Sequence, residues 1–100
     1  MAHEMLVGLD VLDEAQYQQY REAMKPILAQ YEGGFGYDFK VSDVLKSPTA
    51  DPINRVFTLY FSSSKNMDGF FGDPAYLKVK EQHFVGAVGS TTIISRYERS

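Results

Sequence analysis

The hydrophobic pattern at the start of the chain predicts a strand followed by an amphipathic helix. Met5 to Val11 is a short and mostly apolar run, which is typical of a strand covered on both faces. Asp13 is expected to cap the next helix, with Gln16 returning a hydrogen bond to the cap in a capping box. Apolar side chains then recur at steps of three and four, and they predict one helix face against a core: Tyr17, Tyr20, Met24, Ile27, Leu28 and Tyr31.

This first helix is expected to be disturbed once and to end at a pair of glycines. Pro26 removes a helical donor, so we expect a kink at this point or a short break after which Pro26 restarts the helix. Gly33 and Gly34 are expected to end the helix by adopting positive φ.

The middle of the chain predicts two more strands separated by a loop. Phe35 to Val41 alternates apolar and polar residues, which is the pattern of a strand with one buried face. Ser47 to Pro52 begins and ends with residues that favour turns and holds two prolines, so it predicts a loop. Arg55 to Phe61 places apolar side chains on both faces and is predicted to be the third strand.

A second helical region and a last strand follow. Lys65 to Phe71 predicts a short helical piece, and Asp73 with Pro74 predicts the cap and first turn of a helix that reaches about Phe84. Thr91 to Tyr97 is β-branched and aromatic, which predicts the fourth strand. The inner side of the second helix is expected at Tyr76, Leu77, Lys80 and Phe84.

The order βαββαβ predicts a ferredoxin-like α+β fold, a four-stranded antiparallel sheet with its helices on one face. Helices on one face of the sheet leave the other face uncovered. Large apolar residues nevertheless occur at both odd and even strand positions, as Ile94 does beside Ile93 and Leu6 beside Val7. Because an exposed apolar sheet face is unusual for a monomer, we expect a sheet-to-sheet homodimer. The alternative is a face that is only partly apolar and lies in water beside the long loop.

Composition narrows the class of protein. The 100 residues are 44% hydrophobic, which predicts a single domain over residues 1–100. No apolar stretch approaches the ~18 residues of a membrane span, and a formal charge of −3 does not suit phosphate neutralisation, so neither membrane nor nucleic acid is an expected partner. Without cysteine, and without the basic start of a signal peptide, the expected compartment is the cytoplasm.

The titratable candidates each have a functional and a structural interpretation. His83 is a candidate general acid or base, or a solvated residue at the helix edge. Arg55 is placed to clamp a ligand carboxylate, or to pair with Asp38 or Asp51. Tyrosines on core-facing positions, Tyr20 and Tyr76 among them, predict either a satisfied core network or the polar lining of an apolar pocket.

Other familiar chemistries lack their residues. The carboxylates are scattered, so no metal and no cofactor is expected, and a haem would need His83 as its axial ligand. Ser62 to Ser64 has no glycine elbow for a hydrolase nucleophile. Gly33 to Gly36 leads from a helix into a strand, the reverse of a phosphate-binding loop.

A further pattern runs through the chain: Asp13-Glu14-Ala15, Tyr31-Glu32-Gly33-Gly34, Arg55-Val56, and Asp73-Pro74-Ala75-Tyr76 after a Phe pair. It resembles the domain of unknown function thirteen-thirty family, in the dimeric α+β barrel superfamily. The resemblance implies a ferredoxin-like protomer, paired sheet to sheet, with a cleft between sheet and helices. Superfamily relatives include cofactor-independent monooxygenases, haem-dependent enzymes, muconolactone isomerases and stress-responsive proteins, so no single function follows.

Two departures from that family pattern bear on the cleft. The family tends to have Ser-Pro-Glu-Tyr at Asp73 to Tyr76, and often an arginine where His83 stands. The segment Asp43 to Asn54 is longer than usual and lacks the expected glycine, which predicts a remodelled rim of the cleft.

Two functions remain open. The first is binding or conversion of a small apolar or carboxylate metabolite, in a cleft of at least ~300 Å³ walled by the first helix and strands two and three. Its polar anchors would be His83, Arg55, Asp38, Tyr20 and Tyr76. The second is a non-catalytic dimeric structural or interaction module with a solid interior. The sequence leaves open whether the protein is an enzyme.

Overall fold

The protein, described over residues 2–99 by a computed structural model, has the predicted ferredoxin-like α+β fold. Its four strands form one antiparallel sheet in the order β2-β3-β1-β4. The elements are β1 Ala2–Val11, α1 Glu14–Gln30, β2 Gly34–Lys40, β3 Arg55–Phe61, α2 Ser64–Gly72, α3 Pro74–Val79, a π-helical turn Lys80–Phe84, and β4 Val88–Arg99.

The helices pack on one face of the sheet, and alternation along the central strands supplies that face. In β1 the residues Met5, Val7 and Leu9 are buried, and they pair with β3 in a register that opposes Val7 to Phe57. Since successive side chains of a strand point to opposite faces, these odd-numbered positions line the core. The largest fully buried side chains are Tyr17, Phe61, Phe70, Leu9, Met24, Leu28 and Met67.

The start of α1 follows the sequence only in part. The Asp13 carboxylate accepts a hydrogen bond from the Gln16 backbone N–H at 3.0 Å, which confirms the predicted N-cap. The Gln16 side chain does not return to the cap, because its amide donates to the Gln82 carbonyl instead. The helix also runs unbroken from Glu14 to Gln30 with Pro26 inside it.

The glycines after α1 serve close packing rather than the helix end. Glu32 takes the left-handed conformation with φ of 54°, whereas no glycine among residues 2–99 has positive φ, so the predicted role of Gly33 and Gly34 was wrong. A Cβ on Gly33 would lie 2.7 Å from Phe61 Cδ1 and 2.9 Å from the Tyr60 carbonyl oxygen. Glycine therefore lets the chain pass directly over β3.

A bulge in β2 changes which side chains face the helices. Phe35 pairs with Leu59, but the register then shifts, so that Asp38 lies opposite Phe57. One extra residue turns the following side chains to the other face. Phe39 is consequently 53% exposed and Asp38 points toward the core, so the single buried face predicted for this strand was wrong.

The second helical region is shorter and more broken than predicted. Asp73 caps α3 through the Ala75 N–H, and Pro74 is its first residue, as expected. The helix then widens, since the Val85 N–H donates to the Lys80 carbonyl five residues earlier. Leu77 is 48% exposed, so its predicted place on the inner side was wrong.

The outer face of the sheet, opposite the helices, is partly covered by residues 41–54. The Asn54 side chain fastens this segment by accepting from the Val11 N–H and donating to the Val11 carbonyl, at 2.8 and 2.9 Å. Ile53 packs over Gly8, where a Cβ would lie 2.9 Å from Ile53 Cδ1. The segment lies on the face away from the helices and does not form a rim of the space between sheet and helices, so that prediction was wrong. Within residues 2–99 no helix has the length and apolar character needed to cross a bilayer.

Candidate functional site

A cavity of about 400 Å³ lies between the sheet and the second helical region. We call it the cleft. A recess below it, of about 70 Å³, shares several of its lining residues and reaches Tyr20 of α1. Apolar side chains form the walls, namely Met5, Phe71, Phe84 and Ile93, and the remaining lining residues are Thr91, Tyr76, Asp68, Lys80 and Arg96.

The mouth of the cleft opens over β1 and β4, whereas the sequence predicted strands two and three. Thr91, Ile93 and Arg96 line it from β4, and Met5 lines it from β1. On the β2–β3 side of the sheet, α1 packs through ion pairs of Arg21 with Asp38 and of Glu14 with Arg55. The helical layer is divided into α2 and α3 at Asp73, and both helices contribute residues to the lining of the cleft.

Tyr20 and Tyr76, both predicted as candidate site residues, meet in the recess. Their phenol oxygens lie 2.9 Å apart, and each side chain is 5% exposed. Burial raises the pKa of both phenols above the ordinary value, and the neighbouring phenol adds to the rise for Tyr20. Both groups therefore stay protonated at neutral pH. In such a pair one O–H donates to the other oxygen, and the second proton is not used by the pair.

The π-helical turn supplies two further groups to the cleft. Phe84 packs on Tyr20 with ring centroids 4.8 Å apart, and the Lys80 ammonium lies 6.0 Å from the centre of the Phe84 ring. Sequence periodicity had placed both residues on the inner side of the second helix, which the structure confirms. π-helical turns occur often at functional sites, because the extra residue redirects the side chains that follow.

Arg96 is a charged residue of the cleft that the sequence analysis did not predict. Its guanidinium lies 3.3 Å from the Met67 sulfur and 3.7 Å from an Asp68 carboxylate oxygen, and its side chain is 49% exposed. β4 contains a bulge opposite Leu6 and Val7, so Arg96 shares a face with Ile93 despite the odd spacing. Simple alternation would place these two side chains on opposite faces, so the sequence held no signal for Arg96.

Arg55 and Asp38 lie together, away from the cleft. The Arg55 guanidinium donates to both Asp38 carboxylate oxygens, at 2.8 and 3.0 Å, and to Glu14 at 3.2 Å. Arg21 binds the same Asp38 carboxylate at 2.9 Å. The hydrogen bonds that Arg55 donates to Asp38 raise the pKa of Arg55 above its usual value, although burial acts against them. This is the ion-pair alternative predicted for Arg55, with Asp38 as partner, and it anchors α1 on β2 and β3.

His83 is half-buried on the π-helical turn, beside the cleft-facing Phe84. The residues that line the cleft include no histidine, so the axial histidine expected for a haem is not among them. Across residues 2–99 there is also no group of three or more His, Asp or Glu side chains that could hold a metal ion.

The sheet order and the cleft define the chain as a ferredoxin-like α+β protein with a cavity between sheet and helices. The chain belongs to the family described as Domain of unknown function (DUF1330), whose sequence model matches residues 5–97, and this confirms the resemblance noted from its motifs.

Solved structures show the same fold. A protein of unknown function from Rhodopseudomonas palustris matches with a TM-score of 0.80 and 16% identity, over 99% of this chain and 82% of that one. A dabb family protein with a ferredoxin-like fold from Mesorhizobium loti matches with a TM-score of 0.67 and 14% identity, over 99% of this chain and 97% of that one. A dimeric protein of unknown function from Bacteroides fragilis, also with a ferredoxin-like fold, matches with a TM-score of 0.63 and 12% identity, over 98% of this chain and 96% of that one. No curated protein matches the sequence.

Proposed function

We propose that the protein binds a small molecule in the cleft, with the Tyr20–Tyr76 pair at its base. The observation that carries the proposal is the cavity itself, because about 400 Å³ lies within the ~300–1,000 Å³ of small-molecule sites. Its apolar walls and few convergent polar groups are also typical of such sites.

Within this proposal the predicted site residues take different parts. Tyr20 and Tyr76 contact the ligand, while Arg55 and Asp38 hold α1 against the sheet and so shape the recess from behind. His83 belongs to the π-helical turn that carries Lys80 and Phe84. Whether the bound molecule is converted stays open, and the cytoplasmic location stays a prediction.

A thermal-shift screen against small aromatic and carboxylic metabolites tests the proposal, since a ligand that binds only the folded state raises the melting temperature. Ile93→Trp places a large side chain in the cleft and should abolish the shift produced by any hit. Leu77→Trp is the matched control, because Leu77 is similarly exposed, at 48% against 50%, but does not line the cleft. The absence of any hit, or a shift that survives in Ile93→Trp, would contradict the proposal.

We also propose that two copies pair through the outer face of the sheet. Tyr37 and Phe39 stack on this face and are 67% and 53% exposed, and Ile94 is 48% exposed. Burying such side chains contributes roughly 25 cal/mol per Å² of apolar surface. The structurally similar protein from Bacteroides fragilis is described as dimeric, which supports a dimer without indicating its interface.

Light scattering after gel filtration tests the dimer. Ile94→Lys should halve the measured mass, because it places a charge in the proposed interface. Leu77→Lys, which changes an equally exposed residue on α3, should leave the mass at about twice that of one chain. A wild-type mass equal to that of one chain would contradict the proposed pairing. A dimer with no ligand in any screen would instead favour the non-catalytic interaction module.

A further inference from the structure

The mouth of the cleft carries positive charge although the chain as a whole has a formal charge of −3. Two cationic side chains, Lys80 and Arg96, line it together with one carboxylate, Asp68. Asp68 is 75% exposed and lies 3.7 Å from Arg96, so it neutralises that guanidinium only weakly. Within residues 2–99 Lys80 takes part in no salt bridge. The mouth therefore has cationic donors that remain available to an anion.

The space below the charged mouth is apolar and bounded by aromatic rings. Phe71 and Phe84 both line this space, together with Met5 and Ile93 of the sheet. Flat apolar groups pack well against such rings, because offset and edge contacts between rings are favourable. A charged group would lose its hydration in this layer, so the charge of a ligand must stay at the mouth.

The base of the cleft offers one hydrogen-bond donor. One phenol of the Tyr20–Tyr76 pair donates its proton to the other phenol oxygen at 2.9 Å. The proton of the accepting phenol has no acceptor among the residues described. A buried O–H without a partner is unfavourable, so an acceptor oxygen that reaches the base would be favoured there.

We infer that the ligand is an aromatic acid with an oxygen at its far end. Its carboxylate binds between Lys80 and Arg96, its ring lies between Phe71 and Phe84, and its distal oxygen accepts the free proton of the tyrosine pair. The inference rests on the proposed function, since it names the chemical class that the same cleft takes.

Isothermal titration with three matched probes tests the inference. Para-hydroxyphenylpropionate carries both features, phenylpropionate lacks the distal oxygen, and para-hydroxyphenylpropionamide lacks the charge. We expect para-hydroxyphenylpropionate to bind about tenfold more tightly than either of the other probes, because each of them lacks one hydrogen bond. Phenylpropionate lacks the bond to the tyrosine pair, and the amide lacks the charge-assisted bond at the mouth.

Variants show which residues produce each preference. Arg96→Gln and Lys80→Gln should each remove most of the advantage of the acid over the amide. Tyr20→Phe together with Tyr76→Phe should remove the advantage of the hydroxyl, because either phenol alone keeps a proton that it can donate to the ligand. Arg99→Gln is the matched control and should change neither ratio, because its side chain is also 49% exposed but lies on the outer face.

The outcomes separate this inference from the proposed function. Equal affinity for acid and amide, or a preference that persists in Arg96→Gln and Lys80→Gln, would overturn the ligand class while leaving the cleft as a binding site. Failure of all three probes would also overturn the class. Only the further failure of every screened compound, or shifts that survive in Ile93→Trp, would overturn the binding function itself.

Discussion

The phenol oxygens of Tyr20 and Tyr76 lie 2.9 Å apart although the residues are separated by 56 positions in the chain. This contact joins α1 to α3 inside the apolar recess, where both side chains are 5% exposed. Among residues 2–99 each phenol has the other as its hydrogen-bond partner. The pair is therefore a structural contact of the helical layer as well as the base of the cleft.

Loss of one phenol from this pair should destabilise the protein. Tyr20→Phe or Tyr76→Phe should each lower the free energy of unfolding by about 1–2 kcal/mol, since the remaining phenol loses its partner. The double variant should be at least as stable as the less stable of the two single variants, because no unpaired phenol is left. Urea denaturation measures all three values.

Tyr17→Phe is the control for that experiment. Tyr17 is fully buried, and its phenol has no hydrogen-bond partner among residues 2–99. Removing an unpaired hydroxyl should leave stability unchanged or raise it slightly, while the ring keeps its contact with the Arg55 guanidinium. Equal losses for Tyr17→Phe and Tyr20→Phe would show that the inter-helix hydrogen bond contributes nothing.

Stability should fall in alkaline solution because of the buried phenols. Burial raises the pKa of Tyr17, Tyr20 and Tyr76 above the ordinary 10.0. Above pH 10 the unfolded chain releases these protons while the folded protein retains them, so the unfolded state binds fewer protons and unfolding becomes easier as the pH rises. The stabilising effect is complete below that pH. Each phenol should contribute up to about 1.4 kcal/mol per pH unit above it.

Urea unfolding from about pH 8 to about pH 11 measures this dependence, with tyrosinate absorbance to follow ionisation. The double variant Tyr20→Phe with Tyr76→Phe should flatten the decline, because it removes two of the three buried phenols. The same slope in the wild type and the double variant would show that these phenols ionise normally in the folded protein.

Gly33 should not tolerate a side chain. Gly33→Ala should cost roughly 1–3 kcal/mol, because its Cβ would meet the Phe61 ring and the Tyr60 carbonyl inside 3 Å. Gly72→Ala, at the end of α2, has no neighbouring atom within 4 Å and should be neutral or slightly stabilising. Thermal melts of the two variants give the comparison, and a stable Gly33→Ala protein would mean that α1 can shift away from β3.

Asp38 should matter more to stability than a surface carboxylate. Asp38→Asn leaves Arg55 and Arg21 without their shared counter-charge, and we expect a loss of about 3 kcal/mol. Glu22→Gln is the control, because the Glu22–Lys25 pair is more than half exposed and should contribute little to stability. Equal effects in urea denaturation would mean that the Asp38 cluster is no better shielded from solvent than the surface pair.

The elements of this fold could be predicted because their signals are local. The caps at Asp13 and Asp73 and the first-turn Pro74 act within one helical turn, so neighbouring residues suffice to recognise them. The apolar face of α1 likewise follows from its own spacing, and it correctly included Tyr20. The βαββαβ order then determined the sheet, because few arrangements bury such elements.

The errors cluster where a contact distant in sequence changes local geometry. Asp38 faces the helices because a bulge forms when β2 pairs with β3, and Phe39 is exposed for the same reason. Gly33 was predicted to turn the chain, but its lack of a side chain is required by Phe61 on another element. The local sequence pattern cannot predict either effect, because both depend on residues that are distant in the sequence.

The amino-acid sequence by itself determined which residues are apolar, where helices and strands begin, and that Tyr20 and Tyr76 face inward. Only the tertiary structure decided that these two phenols meet, that the cleft opens over β4, and that Arg96 stands at its mouth. The physical reason is that a one-residue shift in strand pairing, or a widened helical turn, moves side chains from one face to the other. Such shifts are selected by the packing of the whole molecule.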